Sequence, residues 1–556
     1  MFPKYINNNM KKILLWVLLI VMGSVCHAED ITIHYKGMKA KVEQMVKDSV
    51  TVTVEGAHVN ITSLYKDHKL TLRLRGKSDD GQLVLKTAGK AKVKLDGLTL
   101  TSQEGAPLHL KNKKKVEVTA AKGTTNSLTI AACIDTVSHK ASAVWAKDKL
   151  RLSGKGTLDI VATGDGCRGI KSKKDITIEE LTLHVTTTGN NLGEKPFGFP
   201  GMPEGGFPNF GNDSTRRGGF PAFPGGFPAF GNDSTRRGGF PAFPGGFPAF
   251  GNDSTRRGGF PGFPGGFPNF GNDSTQRGGM PSFSFDDIPE EVKKQFEEMR
   301  KNFNMRPEGG DSTGMGMGGF GGKHKYVAAT KGIASKGKIT INSGAVTVRT
   351  STAGAEGIEG KEGIVFNGGT IDVLSPDDAI NANAVIEFNG AHVTARSTGN
   401  DAVDANPQGG FFMPFGNDNA QNIEPAIIIR GGTVYAWSQV GPPEEGLDSD
   451  FAPLAIEGGT IFSVGGGMGE MPSVPTNETA RQPTALLIGL HIMKDAPVQL
   501  LDGDGALIGT ITVPFALRRS ASLVSSPAFK LGGTYTVKTA GYEKSFTFNE
   551  PFMVVR

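Results

Sequence analysis

Apolar and polar residues alternate along much of the chain. Ser49-Val50-Thr51-Val52-Thr53-Val54, Leu70-Thr71-Leu72-Arg73-Leu74 and Val93-Lys94-Leu95-Asp96-Gly97-Leu98-Thr99-Leu100 show a period of two. That period puts successive side chains on opposite faces and predicts half-buried β-strands. The alternation is itself repeated. Residues 366–406 hold two copies of one unit, opened by Asn367-Gly368-Gly369 and by Asn389-Gly390-Ala391, 22 residues apart. Each copy runs from a turn through a short strand to an acidic phrase, Asp378-Ala379-Ile380-Asn381-Ala382-Asn383 and then Asp401-Ala402-Val403-Asp404-Ala405-Asn406. Related units open at Asn342, Arg430 and Glu457. Val346/Val348, Ile371/Val373, Val393/Ala395 and Val434/Ala436 are expected to face inward. Thr347/Arg349, Asp372/Leu374, Thr394/Arg396, Tyr435/Trp437 and Phe462/Val464 are expected to face outward. A repeat of this length marks stacked units that bury their apolar faces on one another. The successive strands have no hairpin turns between them, so the expected fold is all-β, a right-handed parallel β-helix.

The pattern stops at Asn190. Residues 190–325 are mostly Gly, Pro and Phe, and Gly-Asn-Asp-Ser-Thr recurs at 211, 231, 251 and 271. Such a composition forms no apolar face and predicts a disordered or loosely extended insertion. One amphipathic helix is expected within it, over 287–304. There Asp287-Ile288-Pro289-Glu290 resembles a capping box, and Ile288, Val292, Phe296, Met299 and Phe303 follow at steps of four and three. The repeat then resumes: GIKSKKDITI from Gly169 and GIASKGKITI from Gly332 match at an offset of 163. A long loop between stacked units adds little closure entropy. From about residue 481 the repeat fades, and Asp502-Gly503-Asp504-Gly505 signals a hairpin. The expected divisions are a leader (1–28), two halves of the β-helix (29–189 and 326–480) around the insertion (190–325), and a small β-rich C-terminal cap (481–556).

Composition adds an address. Lys4, Lys11 and Lys12 precede an apolar run, Ile13 to Met22, and Val25-Cys26-His27-Ala28 follows. This reads as a secretory signal peptide, so the chain is expected in the periplasm, at the cell surface or secreted. Cys26 raises a lipoprotein alternative that Val25 fits poorly. No later apolar run is long enough to span a membrane. Cys133 and Cys167 then remain, either paired as exported cysteines can be or buried as two small apolar residues. The net charge of +5 is a small excess. In an exported chain without a recognisable nucleic-acid module it does not point to nucleic acid.

Candidate chemistry lies in columns. Stacked units bring equivalent positions to about 4.8 Å, so Glu356 and Glu359, Asp377, Asp378 and Asn381, Asp401 and Asp404, and Glu445 and Asp448 form an acidic column. Carboxylates that close repel unless a cation lies between them, and this oxygen set suits calcium. The plainer reading is a row of solvated turn acids. Lysines occupy the corresponding turn in earlier units, including Lys171, Lys173, Lys336 and Lys338, and a lysine ridge would attract a polyanion such as a polyuronate. Tyr435, Trp437 and Phe462, if exposed in line, would stack on sugar rings. Arg349 and Arg396, near the acidic column, would suit a polysaccharide lyase, although no motif for catalysis is present. The Asp-Ser-Thr repeats (Ser214, Ser234, Ser254, Ser274, and Ser312) resemble the acceptor sequence of periplasmic O-glycosylation in some Gram-negative bacteria.

Val93 to Leu128, Ala143 to Val185 and the NGGTIDV…DDAINAN units together resemble a bacterial carbohydrate-binding β-helix family, formerly a domain of unknown function. The resemblance covers most of 50–190 and 326–545. It implies a pectate-lyase-like fold, calcium binding, and binding of acidic polysaccharide and cellulose without established cleavage. The expected function is therefore an exported protein that binds acidic polysaccharide on a calcium-stabilised β-helix. A polyuronate lyase and a surface adhesin or scaffold are the alternatives.

Overall fold

The computed structural model describes residues 29–46, 48–133, 141–195, 325–407, 424–440, 443–449, 452–466 and 473–556. The leader, the 287–304 helix, the Asp-Ser-Thr serines and nearly all of the insertion lie outside them. The described residues are all-β, with no α-helix. None therefore forms a helix long and apolar enough to cross a membrane.

Each unit of the chain contributes to three parallel ladders. In the first, Ile358, Ile380, Val403 and Leu447 are register partners. In the second, Ile364, Ile386, Ile427 and Leu454 align, and in the third, Ile371, Val393, Val434 and Ile461. Parallel strands cannot be joined by a two-residue turn, so the chain makes a full circuit before it meets itself again. The 22-residue spacing of the sequence is the length of one circuit here. The apolar alternation fills the interior: Val346, Val348, Ile371, Val373, Val393, Ala395, Val434 and Ala436 are all at most 1% exposed. β-Branched side chains suit such short, pleated rungs. Phe366 and Phe388 sit on adjacent rungs with ring centroids 5.0 Å apart and planes 12° apart.

The asparagines that open the units have their own role. Asn367 Nδ2 donates to Asn342 Oδ1 at 2.8 Å, and Asn389 Nδ2 to Asn367 Oδ1 at 2.9 Å. Arg430 continues the row by donating to Asn389 Oδ1 at 2.9 Å. Its Nε is 3.6 Å from Glu457, the opener of the following unit. Asn342, Asn367 and Asn389 thus form an amide ladder that ties together the turns of successive units, and Arg430 extends it.

The stack is continuous across the sequence interruption. Ile170 pairs with Ile333, Ile176 with Ile339 and Leu183 with Val346, each at the offset of 163. Where the chain departs and returns, Leu192–Lys195 and Lys325–Ala328 pair antiparallel.

Both ends depart from the parallel pattern. Ile31–Lys36 pairs antiparallel with Lys39–Gln44 while lying parallel on Leu70–Ser78. At the other end Leu517–Ser525 runs antiparallel to both Thr460–Gly465 and Thr484–Ile492. A four-stranded antiparallel sheet follows, in which Pro497–Asp502 and Leu507–Thr512 form the hairpin signalled by Asp502-Gly503-Asp504-Gly505. Ends built this way limit the exposed strand edges of a parallel stack. The terminal strands have a second core, in which Phe529, Tyr535, Phe546 and Phe548 pack with Trp437, Phe462 and Val464. No disulfide joins Cys133 and Cys167, and burial, followed by the nearby Cys133, pushes the Cys167 thiol up to about 12.

Candidate functional site

The first ladder carries a face of charged side chains. Register partners define two columns along it. One runs Ser142, Arg168, Lys331 and Glu356, and in the turns before the next rungs it reaches Asp378, Asp401 and Glu445. The other runs His109, Trp145, Lys171, Ala334, Glu359, Asn381, Asp404 and Asp448. The residue beside the first column is small, because the backbones close in there. A Cβ on Gly357 would lie 2.4 Å from Ala379 O. The acids expected to form a column are therefore neighbours, but most are buried rather than solvated: Asp378 is 1%, Asp404 2% and Asp401 5% exposed.

The column divides into two chemically distinct parts. Glu356 and Glu359 are not free to hold a metal. Lys331 Nζ lies 3.0 Å from Glu356 and 2.6 Å from Glu359, and Lys361 Nζ is 2.6 Å from Glu359. Burial opposes the ionised Glu359, but the two ammoniums outweigh it and hold the carboxyl far below its ordinary range. Burial raises Glu356, with Glu359 and Asp377 adding to it and Lys331 opposing. Lys331 keeps its proton because the two glutamates outweigh its desolvation. Charged pairs satisfy one another here.

The next two rungs differ. One ligand oxygen each from Asp378, Asp401 and Asp404 lies within 4.8 Å of the others. Asn381 Nδ2 ties two of them, donating to Asp378 Oδ2 at 2.7 Å and to Asp404 Oδ2 at 3.1 Å. Asn400 Nδ2 bridges Asp377 and Asp378 at 2.7 Å each. The Glu445 amide donates to Asp401 Oδ1 at 2.5 Å, and Asn406 to Asp404 Oδ1 at 2.6 Å. Burial pushes the Asp401 carboxyl well above the usual range, and the carboxylates of Asp448, Asp378, Asp404 and Glu444 push it further. Buried like charges held together by the Asn381 and Asn400 side-chain amides are what a cation would relieve. The Asp378–Asp401–Asp404 triad could hold a metal ion. Glu445 and Asp448 lie one rung on, where Ser473 donates to both, through its amide at 2.7 Å and its hydroxyl at 3.1 Å.

The lysines form a ridge on the turn that follows this ladder. Lys86 and Lys111 are register partners. Lys147, Lys173, Lys336 and Lys361 each follow the aligned residues Ala146, Ser172, Ser335 and Gly360. Lys86, Lys111, Lys147, Lys173 and Lys336 are exposed, and so is Lys338. Lys171 is not on the ridge. It is 5% exposed and belongs to the charged face.

The aromatic row needs correcting. Trp437 is 7% and Phe462 1% exposed, and Tyr435 is half-buried, stacked on Trp437 at 5.8 Å and 12°. The C-terminal strands cover this face of the third ladder and take Phe462 and Trp437 into their own core. These rings do not form an open platform for sugars. The arginines lie on the third ladder too. Arg349 is held by Asp372, through the carboxylate and at 2.9 Å through the backbone carbonyl, and Arg396 is the register partner of Trp437. Neither forms a described hydrogen bond or ion pair with the acid triad.

Sequence reading missed Lys331, Lys361 and Asn400, which decide which acids are neutralised. The signal was available for Lys331, which occupies the same place in its unit as Glu356.

No curated protein matches the chain. Among solved structures it is similar to the polysaccharide lyase-like protein from C. thermocellum, at 15% identity and a TM-score of 0.35, over 66% of this chain and 90% of that one. The model of a family described as "Carbohydrate-binding domain-containing protein" matches residues 47–195 and 320–405, so stretches on both sides of the Gly/Pro/Phe-rich segment are similar to that family.

Proposed function

We propose that this chain is an exported polysaccharide-binding protein whose stacked units form a right-handed parallel β-helix, and whose ligand is acidic. The observation that carries this reading is the row of exposed lysines at Lys86, Lys111, Lys147, Lys173 and Lys336, one per circuit. Spaced at about one strand separation, they give a linear band of positive charge. Such a band suits a linear polyanion, which gains from many weak contacts in series. Similarity to a carbohydrate-binding family supports a glycan as that polyanion. The Asp378–Asp401–Asp404 triad would take calcium, whose preference is for carboxylate, amide and carbonyl oxygens. Its role would be to neutralise the buried acids and so stiffen the later coils. The test is affinity electrophoresis against polygalacturonate and against a neutral polysaccharide such as dextran. Retardation by polygalacturonate alone is expected. Equal retardation by both would remove the acidic ligand, and no retardation by either would remove the reading.

A further inference from the structure

The first ladder begins at an open strand edge. Val50–Glu55 pairs antiparallel with His58–Ser63, which lies parallel on Gln82–Thr87, and its other side has no partner strand among the described residues. Leu64 N donates to Ser49 O at 2.9 Å. Hydrogen-bonded pairs alternate in an antiparallel ladder, so Ser49, Thr51, Thr53 and Glu55 turn their backbone groups towards the partner strand. Val50, Val52 and Val54 turn theirs to the open edge, where Gln44 Nε2 reaches Val50 O at 3.2 Å. The side chains alternate as well. Val50 is buried, Val52 half-buried and Val54 44% exposed, while Thr51 and Thr53 are exposed on the other face. Ala40, Val42 and Val46, on and just after the strand Lys39–Gln44, are also only partly buried against the core. The apolar interior is thus incompletely closed at this end.

Strand edges are usually blunted by charge. Lys39–Gln44 is protected in this way: its exposed residues are Lys39, Lys41 and Glu43, and Lys41 pairs with Glu43 at 2.9 Å. Val50-Thr51-Val52-Thr53-Val54 carries no charge. Four of the eight large apolar side chains exposed among the described residues flank it, Met38, Met45, Val54 and Leu64. Met38 lies at the Val54 end, where Ala40 N donates to Gly56 O at 2.8 Å, and Leu64 lies at the Val50 end through its bond to Ser49. Met45 follows Gln44 to that same end. The strand is also self-complementary. Antiparallel pairing about a twofold axis at Val52 sets Val52 against Val52, Val50 against Val54, and Thr51 against Thr53. That register joins the backbone groups that point outward and continues the valine face of the core. It brings the Met45/Leu64 end of one copy to the Met38/Val54 end of the other, and it sets Glu55 against Ser49 rather than against another acid. We infer that the Val50–Glu55 edge is a homodimer interface, at which two copies of this chain pair strand to strand.

Sedimentation equilibrium of the full chain over a range of concentrations tests this. The parent should show a monomer–dimer equilibrium. V52P removes an outward N–H and spares the bonds to His58–Ser63, a change an edge strand tolerates. It should weaken the dimer by about tenfold or more, because the twofold axis removes two bonds at once. T51K/T53K sets lysine against lysine across the axis, and T51E/T53E sets glutamate against glutamate, so each should also weaken the dimer. An equal mixture of these two should recover it, since every lysine then faces a glutamate. Thr51 and Thr53 are exposed, so both double variants should fold, and circular dichroism matching the parent checks that. A parent that stays monomeric at every concentration would overturn the interface. So would a dimer that none of the variants weakens, which would place the contact elsewhere. A mixture that fails to recover the dimer would overturn the twofold pairing.

Discussion

Replacing Asp401 by asparagine should have opposite effects with and without a divalent cation. The magnitude follows from the triad. Ligand oxygens of Asp378, Asp401 and Asp404 lie within 4.8 Å of one another. At that distance and an effective dielectric of about 20, two full charges repel by about 3.5 kcal/mol. Asp401 takes part in two such pairs, and protonation relieves part of the cost. D401N should therefore stabilise the metal-free protein by about 1–3 kcal/mol near neutral pH. Calcium at a hundredfold excess over its Kd should stabilise the parent by about 2.7 kcal/mol, and the variant, one ligand short, by much less. The stability order then reverses on adding calcium. The pH dependence has a definite sign. The Asp401 carboxyl is raised well above its ordinary value, so its contribution is fully present below about pH 4 and is lost as pH rises through the elevated value. The metal-free parent should lose stability over that window, and D401N should lose less. Melting curves of both proteins in chelator and in calcium, from about pH 4 to 8, measure all of this. D401N less stable than the parent in chelator, or equal calcium shifts in both, would refute the electrostatic account.

Two further outcomes follow from packing and charge. K331Q strands Glu356 and Glu359 in the interior and should cost about 3–5 kcal/mol in chemical denaturation, while K331Q combined with E356Q should recover a substantial part. F388A removes a fully buried ring that stacks on Phe366, and should cost about 3–5 kcal/mol by the same assay.

Much of the fold was legible because the chain repeats itself. The 22-residue period predicts the register in which Ile358 meets Ile380 and Ile364 meets Ile386. The offset of 163 likewise predicts that Ile170 meets Ile333. Asn342, Asn367 and Asn389, which open three successive units, turned out to be a hydrogen-bonded row. Asp378, Asp401 and Asp404 were named from their spacing, and the structure brings them together. What periodicity could not give is contact between different parts of the chain. Trp437 and Phe462 alternate as outward residues should, but the non-repeating strand Leu517–Ser525 lies against Phe462 and turns that surface into core. Glu356 and Glu359 look like the acids that follow them. Their difference lies in Lys331 and Lys361, charges whose reach depends on side-chain geometry rather than on spacing.

The central claim is that a ridge of lysines on a stacked β-fold binds an acidic glycan. Its most direct test is the affinity for polygalacturonate measured across a range of salt concentrations, for the parent and for a variant with Lys111, Lys147, Lys173 and Lys336 changed to glutamine. The account predicts that the parent's affinity falls steeply with salt, as exposed charges are screened, and that the variant binds weakly with a flatter dependence. Salt-independent binding that is equal in the two proteins, or no binding in either, would contradict it.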